Sequence, residues 1–185
     1  MGSPSKPARA RAAVLPMVAV AVWAGASGCG IVGGGTPANL DVISVSSPQF
    51  RDGDPLPHGY SCRGGIGNPP LRWSGTSGAK SVALVVDDTN DSGDGAEVHW
   101  IVYNIDPETT ELGENTVPRG SRQGSTTSGK VGYVPPCRAD DSYRFTVYAL
   151  DAKLDLPVGA PLSKSLERIA AHTIARGRLT ATNIQ

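Results

Sequence analysis

Two short stretches of the sequence combine polar side chains with the ends of apolar runs. The first contains Asp88, Asn90 and His99, and the second begins at Gly132 and reaches Tyr143. A carboxylate near an imidazole favours the charged form of the ring, and such a pair can present a fixed hydrogen-bond donor to an anion. Loop residues that abut strand-patterned runs are typical of ligand sites held on a rigid scaffold. We therefore predict that the two stretches form one site, with a hydrogen-bonded core histidine as the alternative reading of His99.

Strand-patterned segments must position these residues. The runs at 81–86 and 99–105 are continuous, apolar and rich in β-branched residues, which predicts strands buried on both faces. Alternation at 143–150 predicts a third central strand. If the first two strands are neighbours, Asp88 and His99 lie side by side at one end of the sheet. Shorter strands are expected near 42–50, 71–73 and 178–182.

Helical spacing of apolar residues occurs over 163–175, and Gly177 is expected to end this helix. The segment 107–129 has scattered Gly, Ser and Thr and few large apolar residues, which predicts a long loop. The chain is thus expected to be mainly β, with short helices, a late C-terminal helix and long connections.

The composition bounds the size of the fold and the kind of partner. The 185 residues include 39% hydrophobic residues and carry a formal net charge of zero, so the chain can build one sizeable core. Because neither charge is in excess, a nucleic-acid partner bound through phosphate neutralisation is not expected. We expect a single folded domain over residues 40–185.

The N-terminus has the pattern of a targeting signal over residues 1–28. Basic residues precede the apolar run Ala12–Ala24, which is shorter than the roughly 20 residues that span a bilayer. The following Ala-Ser-Gly-Cys29 resembles the lipobox of bacterial lipoproteins, in which the cysteine carries the lipid and becomes the mature N-terminus. The Gly-rich residues 29–39 would then be a flexible tether. The alternative is an ordinary secretory signal cleaved nearby.

The three cysteines are consistent with this assignment. An extracytoplasmic protein with three cysteines has one left over, and a lipid on Cys29 leaves Cys62 and Cys137 to pair. Such a disulfide would stabilise the fold by about 4 kcal/mol in a chain-entropy model, and it would tie the second polar stretch to an earlier loop. We therefore expect a protein anchored by lipid to the extracytoplasmic face of a bacterial cell membrane.

Several blocks of the sequence resemble the phosphatidylethanolamine-binding protein family, specifically its bacterial Raf kinase inhibitor-like branch. Asp88 with the downstream His99 is similar to an Asp-Pro-Asp-Ala-Pro motif followed by histidine, although residues 89–92 depart from it. The blocks 129–137 and 143–151 are similar to Gly-Lys-x-Gly-Tyr-x-Gly-Pro-Cys and His-Arg-Tyr-x-Phe-x-Val-Tyr-Ala-Leu-Asp. Further blocks match in order at 51–54, 62, 68–73, 172–175 and 179–182.

This resemblance implies a β-sandwich with short helices and one small surface pocket. Family members bind anions such as phosphate or phosphorylated head groups, and no catalytic function or cofactor is implied. By position, Asp88 and His99 match the carboxylate and the histidine of the pocket. Gly132, Tyr133 and Tyr143 match its far wall.

Two pocket positions differ from the family pattern. Asn90 replaces a second carboxylate, and Asp141 replaces a second histidine. The two changes nearly balance in charge at neutral pH. If Asp141 points inward, we expect weaker binding of dianionic phosphate and a preference for a neutral or cationic head group.

Other functions remain as alternatives with less support in the sequence. A Ser-His-Asp hydrolase would need one of Ser125, Ser128 or Ser142 as nucleophile, but no nucleophile elbow is present. A metal site is not expected, because His58, His99 and Asp88 lack compact spacing. A protein-interaction or inhibitor module of the envelope could use the loop 107–129, and its protein partner cannot be named from sequence.

Overall fold

Strands make up most of the regular secondary structure in the described residues. The computed structural model describes residues 41–89 and 95–185, so the signal segment, Cys29 and Asn90 lie outside the described residues. Within this part, α1 (Leu162–His172) is the α-helix, and His58–Tyr60 form a 3-10 turn. No helix of the described ranges is both long and apolar enough to cross a membrane. The strands are β1 (Asp41–Val42), β2 (Ser44–Ser46), β3 (Leu71–Ser74), β4 (Ser81–Asp88), β5 (Val98–Ile105), β6 (Glu111–Leu112), β7 (Arg122–Gln123), β8 (Tyr143–Leu150) and β9 (Thr173–Ala181).

The strands form two sheets. The larger sheet has the order β1-β9-β8-β4-β5-β7, and the smaller has the order β2-β3-β6. All pairs are antiparallel except β1 with β9, which is parallel. The sequence-based prediction of a mainly β fold with a late helix is confirmed. The strands β4 and β5 are neighbours, which is the condition under which we expected Asp88 and His99 to lie side by side.

The central strands are buried on both faces because the chain covers both sides of the larger sheet. On one side, Val82, Leu84 and Val86 pack in a cluster that also contains Trp73 and Leu112 of the smaller sheet. On the other side, alternate residues of β4 and β5 pack with Ile169 of α1. Each fully buried side chain of this size contributes on the order of 1.5–3 kcal/mol. Unbroken apolar runs are the sequence signature of this double burial.

The helix ends earlier than its apolar spacing predicts. We expected a helix over 163–175, but α1 ends at His172 and the chain enters β9 at the next residue. The residues after His172 form a strand because β9 pairs with β8 along its whole length. Gly177 therefore lies inside a strand and does not end a helix. A Cβ atom at Gly177 would lie 1.8 Å from the carbonyl oxygen of Ile43, so the glycine permits the close approach of the neighbouring backbone.

The segment 107–129 contains more structure than the loop we predicted. It supplies β6 to the smaller sheet and β7 to the larger sheet. Backbone hydrogen bonds outside these strands also fix it, including Asn115 N–H to the Asn68 carbonyl at 3.0 Å and Gly124 N–H to the Ile101 carbonyl at 3.1 Å. Two-residue strands are too short to leave a clear pattern in sequence, which explains why they were missed.

Candidate functional site

Asp88 and Tyr143 are direct cross-strand neighbours at one end of the larger sheet. Asp88 is the last residue of β4, Tyr143 is the first residue of β8, and both side chains are about 1% exposed. The Asp88 carboxylate accepts a hydrogen bond from the backbone N–H of Glu97 at 2.8 Å. Arg144 forms a bidentate ion pair with Asp87 and also donates to the Asp88 carbonyl at 2.8 Å. The end of β4 is therefore fixed from both neighbouring strands.

His99 reaches the same site through a β-bulge. Val86 pairs with Trp100 and Asp87 pairs with Val98, so His99 is an extra residue without a partner in the β4–β5 ladder. Strict alternation would place His99 on the face of β5 opposite to Trp100. Because the bulge interrupts that alternation, the ring lies against Tyr143, with centroids 5.5 Å apart in an edge-on arrangement.

The His99 ring is oriented by the second stretch of the sequence. Its Nδ1 atom lies 3.1 Å from the carbonyl oxygen of Val134. A carbonyl only accepts hydrogen bonds, so Nδ1 carries the proton and Nε2 is the ring nitrogen left to meet a ligand. The Val134 N–H donates in return to the His99 carbonyl at 2.9 Å. The two polar stretches are thus joined through His99 and Val134.

The disulfide predicted between Cys62 and Cys137 is present. It closes a separation of 75 residues, and the Cys62 N–H also donates to the Pro136 carbonyl at 2.9 Å. These contacts fix the position of the segment that carries Val134, Cys137 and Arg138. The cross-link therefore supports one wall of the site.

These residues enclose a small surface cleft of about 150 Å³. A neighbouring depression of about 280 Å³ shares Asp88, Glu97 and Arg138 with it. A cavity of this size suits a phosphate-sized group. The cleft is lined by Asp88, Glu97, His99, Val134, Pro135, Cys137, Arg138 and Tyr143.

Three residues that the family pattern places in the pocket, Gly132, Tyr133 and Asp141, are not among those that line the cleft. Tyr133 packs edge-on against Trp100, and its hydroxyl donates to the Tyr60 carbonyl at 3.0 Å. Gly132 has a φ of +116°, a conformation that favours glycine. Asp141 forms an ion pair with Arg138 at 3.6 Å and does not line the cleft. Asp141 is therefore connected to the cleft through its partner Arg138, which lines it.

Buried tyrosines around the cleft stay protonated well above neutral pH. Burial, with a smaller contribution from the nearby carboxylate of Asp141, raises the pKa of Tyr143 to about 12. The Tyr143 hydroxyl donates to the Arg138 carbonyl. Burial also raises the pKa of Tyr133. The phenol groups of Tyr133 and Tyr143 are thus uncharged near neutral pH and do not act there as acids or bases.

Glu97 and Arg138 are cleft residues that sequence reasoning missed. Glu97 lies just before β5 and is half-buried, and the Arg138 side chain is 57% exposed. Their only sequence signal is proximity: Glu97 is two residues from His99, and Arg138 follows Cys137. With Asp88 and His99, they give the cleft two carboxylates, one imidazole and one guanidinium.

Other depressions offer less chemistry. One of them, of about 390 Å³, is lined by Ser74–Ala79 and by residues of 107–110, and it contains one titratable side chain, Glu108. The hydroxyls of Ser125 and Ser142 donate to the carbonyls of Gly159 and Thr182. The cleft at Asp88 and His99 therefore combines more titratable groups than the depression at Ser74–Ala79.

Comparison with known proteins places the chain in a family. Residues 46–184 match the family model described as phosphatidylethanolamine-binding protein. The chain is 38% identical over 152 residues to a Mycobacterium tuberculosis protein named "Putative lipoprotein LppC". The match covers 80% of this chain and 75% of that protein. It is also 39% identical over 147 residues to a UPF0098 protein of Chlamydia muridarum, covering 76% of this chain and 97% of the relative.

Solved structures agree with this result. A phosphatidylethanolamine-binding protein homologue from Chlamydia trachomatis, CT736, superposes with a TM-score of 0.71 at 36% identity, covering 78% of this chain and 99% of that one. YbcL of E. coli gives a TM-score of 0.70 at 27% identity, covering 77% and 98%. The chain belongs to the phosphatidylethanolamine-binding protein family.

Proposed function

We propose that this chain is a binding protein of the bacterial envelope, held at the extracytoplasmic face of the cell membrane by a lipid on Cys29. Residues 1–28 would be the signal peptide, residues 29–39 the tether, and residues 40–185 the binding domain. The lipobox-like sequence before Cys29 supports the anchor, as does the name of the mycobacterial relative. The ligand would be a small polar or anionic molecule of the phosphate or phosphorylated head-group type, bound without catalysis.

One observation carries the assignment of the ligand. His99 is 5% exposed, its Nδ1 is held by the Val134 carbonyl, and its ring lines the cleft beside the exposed Arg138. A ring held in this way keeps Nε2 in one position, so a bound oxygen does not have to order it. A guanidinium adds a charge-assisted donor that matches phosphate. Asp88 and Glu97 would accept hydrogen bonds from a protonated oxygen or an amine of the same ligand.

A titration of full-length protein followed by NMR tests this proposal. Inorganic phosphate and phosphoethanolamine are added separately, and the amide signals of Glu97, His99 and Arg138 are followed. We expect these signals to shift in the parent and to stay unshifted in His99→Ala. The matched control is His172→Ala, which removes an imidazole that pairs with Asp151 on the surface. Shifts that survive His99→Ala would exclude this cleft as the site.

A protein-interaction or inhibitor role for 107–129 is the second candidate. The segment has a defined shape, because β6 and β7 join it to both sheets and backbone bonds fix Asn115 and Gly124. A preformed surface loses little entropy when a partner binds. Hydrogen exchange provides the test: slow exchange at β6 and β7 supports a preformed surface, and rapid exchange throughout 107–129 argues against it.

A further inference from the structure

Three side chains with metal-binding atoms converge in the cleft. One ligand atom from each of Asp88, Glu97 and His99 lies within 4.8 Å of the other two. Asp88 and His99 are buried, and Glu97 is half-buried. The backbone fixes the relative positions of the two carboxylates, because Asp88 N–H donates to the Glu97 carbonyl at 3.0 Å and Glu97 N–H donates to the Asp88 carboxylate at 2.8 Å.

The orientation of His99 is that of a metal ligand. A histidine that binds a metal through one ring nitrogen usually donates the other N–H to a carbonyl or carboxylate, which fixes the tautomer and the direction of the ring. His99 has this arrangement, since Nδ1 faces the Val134 carbonyl at 3.1 Å. The nitrogen left for a metal is Nε2. Because the cleft is a surface depression, a bound cation would keep positions for water or a ligand oxygen.

The charges of the cleft also favour a cation. Asp88 and Glu97 bring two carboxylates to a space that is partly shielded from water. The guanidinium that lines the cleft, Arg138, is shared with Asp141 at 3.6 Å. Two neighbouring carboxylates repel each other, and a divalent cation removes this repulsion.

We propose that Asp88, Glu97 and His99 bind a divalent transition-metal cation, with Zn²⁺ as the cation to be tested. One imidazole nitrogen and two carboxylate oxygens form a donor set that Zn²⁺ accepts in sites with an open coordination position. Bonds of about 2.0–2.2 Å require the three donor atoms to move together from their present separation. The half-buried Glu97, which lies before β5, has the most freedom to make this movement.

Isothermal titration calorimetry with Zn²⁺ alone, in phosphate-free buffer, tests the site on the full chain. Every sample carries Cys29→Ser, because a free thiolate is itself a zinc ligand. We expect one Zn²⁺ per chain in the parent. Glu97→Gln should weaken binding by about tenfold or more, since even the loss of an outer-shell partner of a metal ligand costs about 10–100-fold. The control, His172→Ala, removes the other imidazole that lies beside a carboxylate, at 2.8 Å from Asp151.

The histidine ring signals in NMR locate the cation. Zn²⁺ should shift the ring signals of His99 and leave those of His58 and His172 in place. Zinc affinity unchanged by Glu97→Gln, or lost in His172→Ala, would overturn the proposed site. Phosphate is titrated separately in the presence of a chelator. Phosphate binding without zinc binding overturns the metal site alone, and zinc binding without phosphate binding overturns the proposed ligand alone.

Discussion

His99 and Val134 exchange two hydrogen bonds, one from the imidazole Nδ1 to the Val134 carbonyl and one from the Val134 N–H to the His99 carbonyl. The first fixes the direction of the ring, and the second fixes the backbone that supplies its acceptor. His99 lies in a bulge of β5, and Val134 lies three residues before the disulfide at Cys137. The pair is therefore the point at which the two halves of the candidate site depend on each other.

Replacing His99 separates its structural role from its role in binding. His99→Leu should leave the Val134 carbonyl without its donor, at a cost of about 1–3 kcal/mol of unfolding free energy. The amide N–H of His99→Asn can take the place of Nδ1–H, so this variant should lose less stability. Both should lose phosphate binding, because neither supplies Nε2. Urea unfolding and a phosphate titration measure the two effects, and equal stability of both variants would show that the Val134 bond is unimportant.

Removing the disulfide should affect stability and binding together. A closed loop of 75 residues corresponds to about 4 kcal/mol in the chain-entropy model. The double variant Cys62→Ser, Cys137→Ser should therefore unfold at lower urea concentration. It should also bind phosphate more weakly, because Pro136 and Arg138 lose their fixed position. Cys29→Ser is the control and should leave the unfolding curve unchanged. An unchanged phosphate affinity in the double variant would show that the cross-link does not support the cleft.

The sequence predicted the scaffold of the site better than its chemistry. Continuous apolar runs predicted β4 and β5 as buried strands, and their pairing in the fold brings Asp88 near His99. The bulge at His99 could not be predicted, because an apolar run carries no information on register when both faces are buried. Glu97 and Arg138 were missed for a related reason, since only the tertiary fold turns a loop residue into a cleft residue.

The end of the helix shows how one residue can support two predictions. Gly177 after an apolar helical pattern is typical of a helix end. In the fold, the same glycine allows β1 to approach β9. Pairing with β8, which is distant in sequence, decides between the two possibilities.

We expect Asp141 to weaken phosphate binding in the cleft through its ion pair with Arg138. In the ion pair at 3.6 Å, Asp141 would compete with a ligand for the guanidinium, and the Oδ2 atom of Asp141 is buried without a hydrogen bond in the described part of the chain. Asp141→Asn should therefore release Arg138 and tighten phosphate binding. A partly exposed pair of this kind is worth about 0.2–1 kcal/mol. This corresponds to at most about a fivefold change in Kd.

The matched control for this effect is Asp140→Asn. It changes the net charge equally, but Asp140 is exposed and belongs to none of the described ion pairs. The phosphate Kd of the two variants is compared at several salt concentrations. Equal tightening in both would mean that net charge matters and the Arg138 contact does not.

Alkaline pH should destabilise the fold through Tyr143. The pKa of this residue is raised from 10.0 to about 12, chiefly by burial, so the folded state holds the phenol proton more tightly than the unfolded state. The resulting stability is fully present below pH 10 and is lost as the pH rises through about 12. Tyr143→Phe should flatten this part of the stability profile.

Urea unfolding at intervals from neutral to alkaline pH measures the profile for parent and variant. Below pH 10 the two curves should stay parallel, separated by the loss of the hydrogen bond from the Tyr143 hydroxyl to the Arg138 carbonyl. Ultraviolet absorbance follows tyrosinate formation in the same samples. An equal alkaline decline in both proteins would assign the loss to the other buried tyrosines.

Gly177→Ala tests whether β1 depends on the close approach of backbones. The new Cβ would lie 1.8 Å from the Ile43 carbonyl oxygen, and this contact is with backbone, so no flexible side chain can relieve it. We expect β1 to move off β9, with a loss of about 1–3 kcal/mol, as for other overpacked sites. Hydrogen exchange should accelerate at Ile43, whose N–H donates to the Arg176 carbonyl at 3.1 Å. Exchange at β4 and β5 should stay slow, because their ladder does not involve β1. Unchanged exchange at Ile43 would mean that the strands can absorb the methyl group.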